Sequence, residues 1–423
     1  MLKAGTTLCV KCGNVFSKLY YFNSKDNVWV TLNRTVTGKY YVEQRIDENV
    51  QDNSKSLNYT DFKLNTKKSI PNKGIPKELY IDYISNGEQK TDSVFKRICP
   101  FCAQKGKINN IVEGLGDVPT YVVAVIGSKA VGKSCWIRSL SCPENQNALA
   151  DFRYHIDSPE LKASMAKPLG STKLSDKGET VLLTISRNSA KSFSDSTSEE
   201  KKKNILTELL VRIKNKKGSQ YAPVAKVLML DFAGELFTKA KREEFLQSHA
   251  YSLFAGTDDY SGVDAVILMD EVEDKDSTNE KVDITEVYNC IKDLELLQNK
   301  PVAYVINKID KFFENPPMTT IVGSDKKVPL LTADTFKHYD EDIYAKSKIM
   351  SRFCIDKYIV SKYSDVAEKI FINNVHSSGF LIKTLQPYAD EYSGKIDDDY
   401  TDSINVMDPL IWILNELDIF PIV

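Results

Sequence analysis

The chain has 423 residues, 42% hydrophobic and 27% charged, with a formal net charge of −2 and a pI near 6.2. That length and apolar content allow two or three domains with real cores and exclude a disordered scaffold. The near-neutral balance offers no global electrostatic case for nucleic acid or an anionic membrane, and apolar runs such as Ala265–Met269 and Leu410–Leu414 fall far short of the roughly twenty residues of a membrane span.

In chain order, the opening MLKAGTTLCVKCG has no long apolar stretch before its cysteines, so no secretory signal is expected and a cytoplasmic protein is the default. Two C-x-x-C pairs follow, Cys9/Cys12 and Cys99/Cys102. Gly13 after Cys12 and Pro100 after Cys99 suit tight knuckles whose backbone N–H groups point at thiolate sulfurs, and four thiolates give a closed, structural zinc site with no open position. The segment between the pairs is far longer than in an ordinary zinc ribbon, so they would meet across an inserted module; a redox C-x-x-C or unpaired reduced thiols are the alternatives. Cys135, Cys142, Cys290 and Cys354 read as buried or reduced thiols.

Between Phe16 and Phe95, stretches such as NVWVTL and KYYVEQRI alternate between polar turns and predict short strands. A Gly-containing link then predicts a boundary near residue 115, dividing a zinc-ribbon-like β-rich module (1–115) from a second domain (116–423). In that second part apolar runs alternate with helical patterns: YVVAVI and a helix from Lys133; VAKVLML and KAKREEFLQSHAYSLF; VDAVILM and a helix near Ile284–Gln298. PVAYVIN and an amphipathic segment around Asp342–Ser364 come next, then KIFINNV and a helix near Asp408–Leu417. Continuous apolar strands interleaved with helices predict an α/β fold, a mostly parallel sheet covered by helices on both faces. Asn188–Lys203 and Pro316–Pro329 interrupt the pattern as loops.

The sharpest motif is GSKAVGKS, comprising Gly127, Ser128, Lys129, Ala130, Val131, Gly132, Lys133 and Ser134, followed by Cys135. It sits between an expected strand and an expected helix. Glycines let the backbone wrap a polyphosphate, Lys133 reaches the β- and γ-phosphates, and the Ser134 hydroxyl can ligate Mg²⁺. At the end of the next strand comes Asp231-Phe-Ala-Gly234: the carboxylate can hold Mg²⁺ through water and the Gly234 N–H can meet a γ-phosphate. Asn307-Lys308-Ile309-Asp310 closes AYVI; the Asp310 carboxylate matches the paired N–H donors of guanine, Asn307 can brace the phosphate loop, and the Lys308 stem can lie along the base. Ser377 and Ser378, read as a loop closing IFINNV, can place a backbone N–H on guanine O6. Each short motif also occurs in ordinary turns; their order and spacing are what carry the argument. The histidines, His155, His249, His338 and His376, show no metal or triad spacing.

Over about Tyr121 to Val423 the sequence resembles the Ras-like, translation-factor-related class of P-loop GTPases, mainly through GSKAVGKS, DFAG and NKID taken together. The ending NVMDPLIWILNELDI with the N-terminal cysteine pairs is similar to bacterial GTPases described as double-GTPase or conflict-system GTPases. The resemblance implies a P-loop domain and a switch that hydrolyses GTP to GDP, with Lys133 stabilising the transferring phosphoryl and Ser134, Asp231 and a switch threonine on Mg²⁺. It also implies a protein effector or activator, or a homodimer. For that threonine Thr172 is the first choice and Thr180 the second, each also readable as a plain loop or strand residue. Glu235 stands where the family often has a water-orienting Gln; it is equally readable as a carboxylate at a helix start. Arg138, Arg153, Arg187 and Arg242 are candidates for a finger without a preference among them. Two rivals remain: an ATPase with a nucleic-acid-binding zinc module, against which NKID argues, and a nucleotide-locked scaffold with negligible turnover.

Overall fold

The structure, a computed structural model, describes residues 1–3, 6–9, 14–44, 59–70, 75–76, 78–104, 118–127, 131–140, 154–158, 180–188, 221–256, 260–271, 284–309, 318–320, 327–329, 341–355, 366–374, 376–384 and 405–420. It begins with a two-stranded hairpin, β1 (Thr7–Leu8) and β2 (Val15–Phe16). There follow β3 (Leu19–Asn23), β4 (Val28–Arg34), β5 (Tyr40–Gln44), β6 (Tyr59–Leu64), the short helix α1 (Thr66–Ser69), β7 (Glu78–Ser85) and β8 (Glu88–Arg97). These strands make a six-stranded antiparallel sheet in the order β5-β4-β3-β8-β7-β6, whose outer strands β5 and β6 approach each other, so the sheet is nearly closed. Alternation explains it: Val28, Val30 and Leu32 of β4 and Leu79, Ile81 and Tyr83 of β7 are buried while their neighbours face outward.

After α2 (Pro100–Gln104) the chain enters a second, seven-stranded sheet. Its elements are β9 (Thr120–Gly127), α3 (Lys133–Ser139), β10 (Tyr154–Asp157), β11 (Thr180–Asn188), β12 (Tyr221–Ala233), α4 (Arg242–Gln247), α5 (His249–Ala255), β13 (Ala265–Glu271), α6 (Ile284–Asp293) and β14 (Val302–Asn307). A small hairpin, β15 (Met318–Thr320) and β16 (Lys327–Pro329), precedes α7 (Glu341–Cys354), α8 (Val366–Asn373), β17 (Ser377–Leu381) and α9 (Asp408–Glu416). The order is β10-β11-β12-β9-β13-β14-β17, with β10 and β11 antiparallel to their neighbours and the remaining five strands parallel. Along β9, Val122, Ala124 and Ile126 join one apolar cluster and Val123 and Val125 the other, which is why this strand reads as unbroken apolar sequence.

The expected mostly parallel α/β architecture with a small zinc-ribbon-like appendage is therefore corrected. Strand outweighs helix, the N-terminal region is a near-closed barrel-like sheet, and the second sheet is mixed. The apolar pattern could not reveal this, because a strand buried on both faces looks alike whether its neighbour runs with it or against it. KIFINNV is a second correction. Lys369–Asn373 belong to helix α8, which buries Val366, Ala367 and Ile370 at helical spacing and leaves Ile372 exposed. The first residues, assigned to the N-terminal module, also reach the second sheet: Leu2 pairs with Thr120, and Leu2 and Leu8 lie in the same apolar cluster as Val122 and Ile126.

Candidate functional site

At the C-terminal ends of β9, β12, β13 and β14 the structure gathers most of the described residues singled out by the sequence. Gly127 ends β9 where β13 runs so close that a Cβ would lie 2.2 Å from the Met269 carbonyl oxygen, so only glycine fits. Ser128, Lys129 and Ala130 lie outside the described residues. Val131 is buried, and Gly132 follows with φ +94°, a conformation that L side chains avoid. Its carbonyl accepts the Trp136 N–H at 2.8 Å as α3 begins. The Lys133 ammonium turns back and donates to the Gly127 carbonyl at 2.7 Å, while half-buried Cys135 follows in the helix.

Parallel pairing of β12 with β9 brings Asp231 beside this loop, in register with Val125. The Ser134 hydroxyl donates to Asp231 Oδ2 at 3.0 Å, while Asp231 Oδ1 is buried without a hydrogen-bond partner among the described residues. Burial raises the carboxyl pKa above its ordinary value; the Lys133 charge and the Ser134 hydroxyl partly oppose the shift. A buried carboxylate oxygen with nothing to accept from is the donor a hard cation takes, and with the serine hydroxyl it fits Mg²⁺. Buried Gly234 starts a 3-10 turn, Gly234–Phe237, which also contains the Glu235 backbone. That turn is anchored by Phe237, packed on Phe245 at 4.6 Å between ring centroids and on Phe232 and Phe254. Thr180 opens β11 opposite Leu230, one residue before Asp231; Thr172 lies outside the described residues.

Asn307, wholly buried at the end of β14, ties two loops together. Its Nδ2 donates to the Val131 carbonyl at 2.9 Å and to Thr384 Oγ1 at 3.1 Å, and its Oδ1 accepts the Thr384 N–H at 3.2 Å and the Lys308 N–H at 2.8 Å. Lys308 has φ +61°, and its ammonium is ion-paired with Glu271, the last residue of β13. Asp310 lies outside the described residues.

Ser377 and Ser378 are not part of this cluster. They open β17, paired with Val302 and Ala303 at the start of β14, five and four residues back from Asn307. At about 3.3 Å per residue that is about 13–16 Å away. The residue that meets Asn307 from this side is Thr384, which sequence reading missed because it took α8 for the strand and so placed the strand end six residues too early. Glu271 was missed as well: an acidic residue at a strand end carries no motif of its own.

The cysteines form a separate centre. Cys9 follows β1, Cys99 precedes α2 and Cys102 lies within it; all three are buried, with sulfurs within 4.8 Å of one another. Cys9 Sγ and Cys102 Sγ are 3.7 Å apart, and the Cys102 N–H donates to Cys99 Sγ at 3.4 Å, the contact a knuckle makes. Zinc–sulfur bonds of about 2.3 Å in a tetrahedron put neighbouring sulfurs about 3.8 Å apart, so the spacing fits the ion. Cys12 lies outside the described residues.

No family model matches this chain, and no curated protein sequence does. Among the described residues, no helix is long and apolar enough to cross a membrane.

Proposed function

We propose that this chain is a Mg²⁺-dependent guanine-nucleotide-binding protein that hydrolyses GTP to GDP and phosphate as a cytoplasmic molecular switch. The observation that carries the reading is the Ser134–Asp231 contact beside the glycine loop, with one carboxylate oxygen left without a partner among the described residues. Ser134 and Asp231 are the residues that would hold Mg²⁺, which when bound supplies positive charge beside the β- and γ-phosphates. Lys133 already turns over the loop onto the Gly127 carbonyl and would exchange that acceptor for phosphate oxygens. Gly234 offers its N–H at the start of a turn anchored by aromatic packing, so a γ-phosphate contact there would be felt by the adjoining α4 and α5. Asn307 holds the phosphate loop and the base end in one hydrogen-bonded unit.

Guanine preference rests on NKID, in which the Asp310 carboxylate accepts from the base. Calorimetry with GTP and ATP tests this directly, and equal affinities would overturn it in favour of an ATPase. Asp310→Asn, which exchanges an acceptor for a donor, is expected to cost guanine binding about 2–4 kcal/mol while xanthine nucleotide gains. The thiol centre is proposed as a structural zinc site of Cys9, Cys12, Cys99 and Cys102. Its donor set leaves no position for a substrate.

A further inference from the structure

Resting on the guanine-nucleotide reading, we propose that Glu271 is a positioning residue for base recognition: its carboxylate anchors the Lys308 ammonium, so that the aliphatic stem of the lysine lines the base pocket. Strands β13 and β14 run parallel with Glu271 in register with Asn307, so the carboxylate arrives beside the base end of the site from a strand outside the N-K-x-D motif. The Glu271 side chain is 3% exposed and that of Lys308 20%. An exposed ion pair of this kind would hold little, but a carboxylate this deeply buried is strongly disfavoured without its cation, so the lysine stays on it.

The other end of the lysine is held too. Its backbone is in the left-handed region at φ +61°, and its N–H is taken by Asn307 Oδ1 at 2.8 Å. A four-carbon stem fixed at both ends has lost its rotamer freedom before ligand arrives, so ordering it adds nothing to the cost of binding. Pairing with Glu271 also neutralises the ammonium, which separates its role from that of Lys133. Lys133 acts on phosphate through charge, whereas Lys308 acts on the base through its stem.

The experiment compares GDP, ADP and inorganic tripolyphosphate by calorimetry on the full chain and on Glu271→Gln. GDP affinity is expected to fall about tenfold, as for a long side chain that must be ordered on binding instead of before it. Tripolyphosphate, which meets only the phosphate loop, should change by less than about twofold. A purely structural role for Glu271 would weaken both ligands alike and would overturn the inference. Lys308→Met should reproduce the GDP loss, and the double variant should bind no more weakly than Lys308→Met alone; additive losses would overturn action through the lysine. Should Glu271→Gln fail to fold, Glu271→Asp, which keeps the charge but shortens the reach, is expected to give an intermediate GDP loss, and full GDP affinity in it and in Lys308→Met would overturn the proposal. Failure of the underlying reading looks different. An unsubstituted chain that binds ADP as well as GDP overturns both, whereas guanine preference at full affinity in Glu271→Gln overturns only this proposal.

Discussion

Asn307 and Val131 stand 176 residues apart in sequence, yet Asn307 Nδ2 donates to the Val131 carbonyl at 2.9 Å. The glycine loop and the end of β14 are thus one hydrogen-bonded body, and Gly132 is packed against the joint. A Cβ on Gly132 would lie 2.3 Å from Asn307 Nδ2, on a backbone at φ +94°. Gly132→Ala is therefore expected to destabilise the protein by about 1–3 kcal/mol and to weaken nucleotide binding together with it. Urea unfolding with nucleotide titration checks this, and unchanged stability would show that the loop relaxes freely.

Asp231 should display opposed effects on stability and binding. Its carboxyl is held above the ordinary value by burial, so the ionised form strains the ligand-free protein. Asp231→Asn is expected to leave the nucleotide-free protein as stable or more so, by about 1 kcal/mol, while removing the Mg²⁺-dependent part of GTP stabilisation. Thermal unfolding with GTP, with and without Mg²⁺, measures both; Mg²⁺-dependent stabilisation that survives the change would remove Asp231 from the metal site.

A pH effect is expected from Asp408, at the start of α9. The residue is fully buried, Ser347 donates to its Oδ2, and Oδ1 has no partner among the described residues. Burial lifts its pKa well above the ordinary 3.8. The unfolded chain gives up this proton near 3.8 while the folded chain retains it, so its contribution to stability is lost as pH rises from there through the folded value. The slope is about 1.4 kcal/mol per pH unit inside that window. Asp408→Asn should flatten this part of the profile and gain stability at neutral pH relative to acid. An identical pH dependence in both proteins would mean that Asp408 has found a charged partner.

Protein purified without chelator is expected to carry about one zinc, and Cys99→Ser with Cys102→Ser to lose it. Because Leu8, next to Cys9, packs in the cluster that covers one face of the seven-stranded sheet, stripping the metal should also lower the thermal stability of that sheet. Elemental analysis followed by calorimetry tests the two statements in turn, and metal content unaffected by the double substitution would place the ion elsewhere.

Turnover by the isolated chain should be slow. If Glu235 takes the water-orienting place that the proposed reading gives it, its ionised carboxylate would accept from water but not donate to the developing charge, and would add negative charge beside an anionic phosphate. A partner protein or second copy that contributes an arginine would raise the rate by about 10³–10⁵. Single-turnover phosphate release at about 1 s⁻¹ or faster from the monomer would refute this. A faster Glu235→Gln variant would support the charge argument.

What the sequence by itself determined was local. Gly127 and Gly132, the apolar runs of β9, β13 and β14, and the Cys99–Cys102 knuckle are written in contiguous residues, because backbone freedom, burial on both faces and thiol spacing each leave a short-range mark. Only the tertiary structure decided which distant residues meet. The antiparallel β10 and β11 and the closure of β5 toward β6 depend on pairing, which a strand's own residues do not encode. The helix at Val366–Asn373 won over a strand because Val366, Ala367 and Ile370 share a buried face that exists only once the sheet is in place. That single exchange moved the end of β17 to Leu381, carried Ser377 and Ser378 to the far end of the sheet, and brought Thr384 onto Asn307.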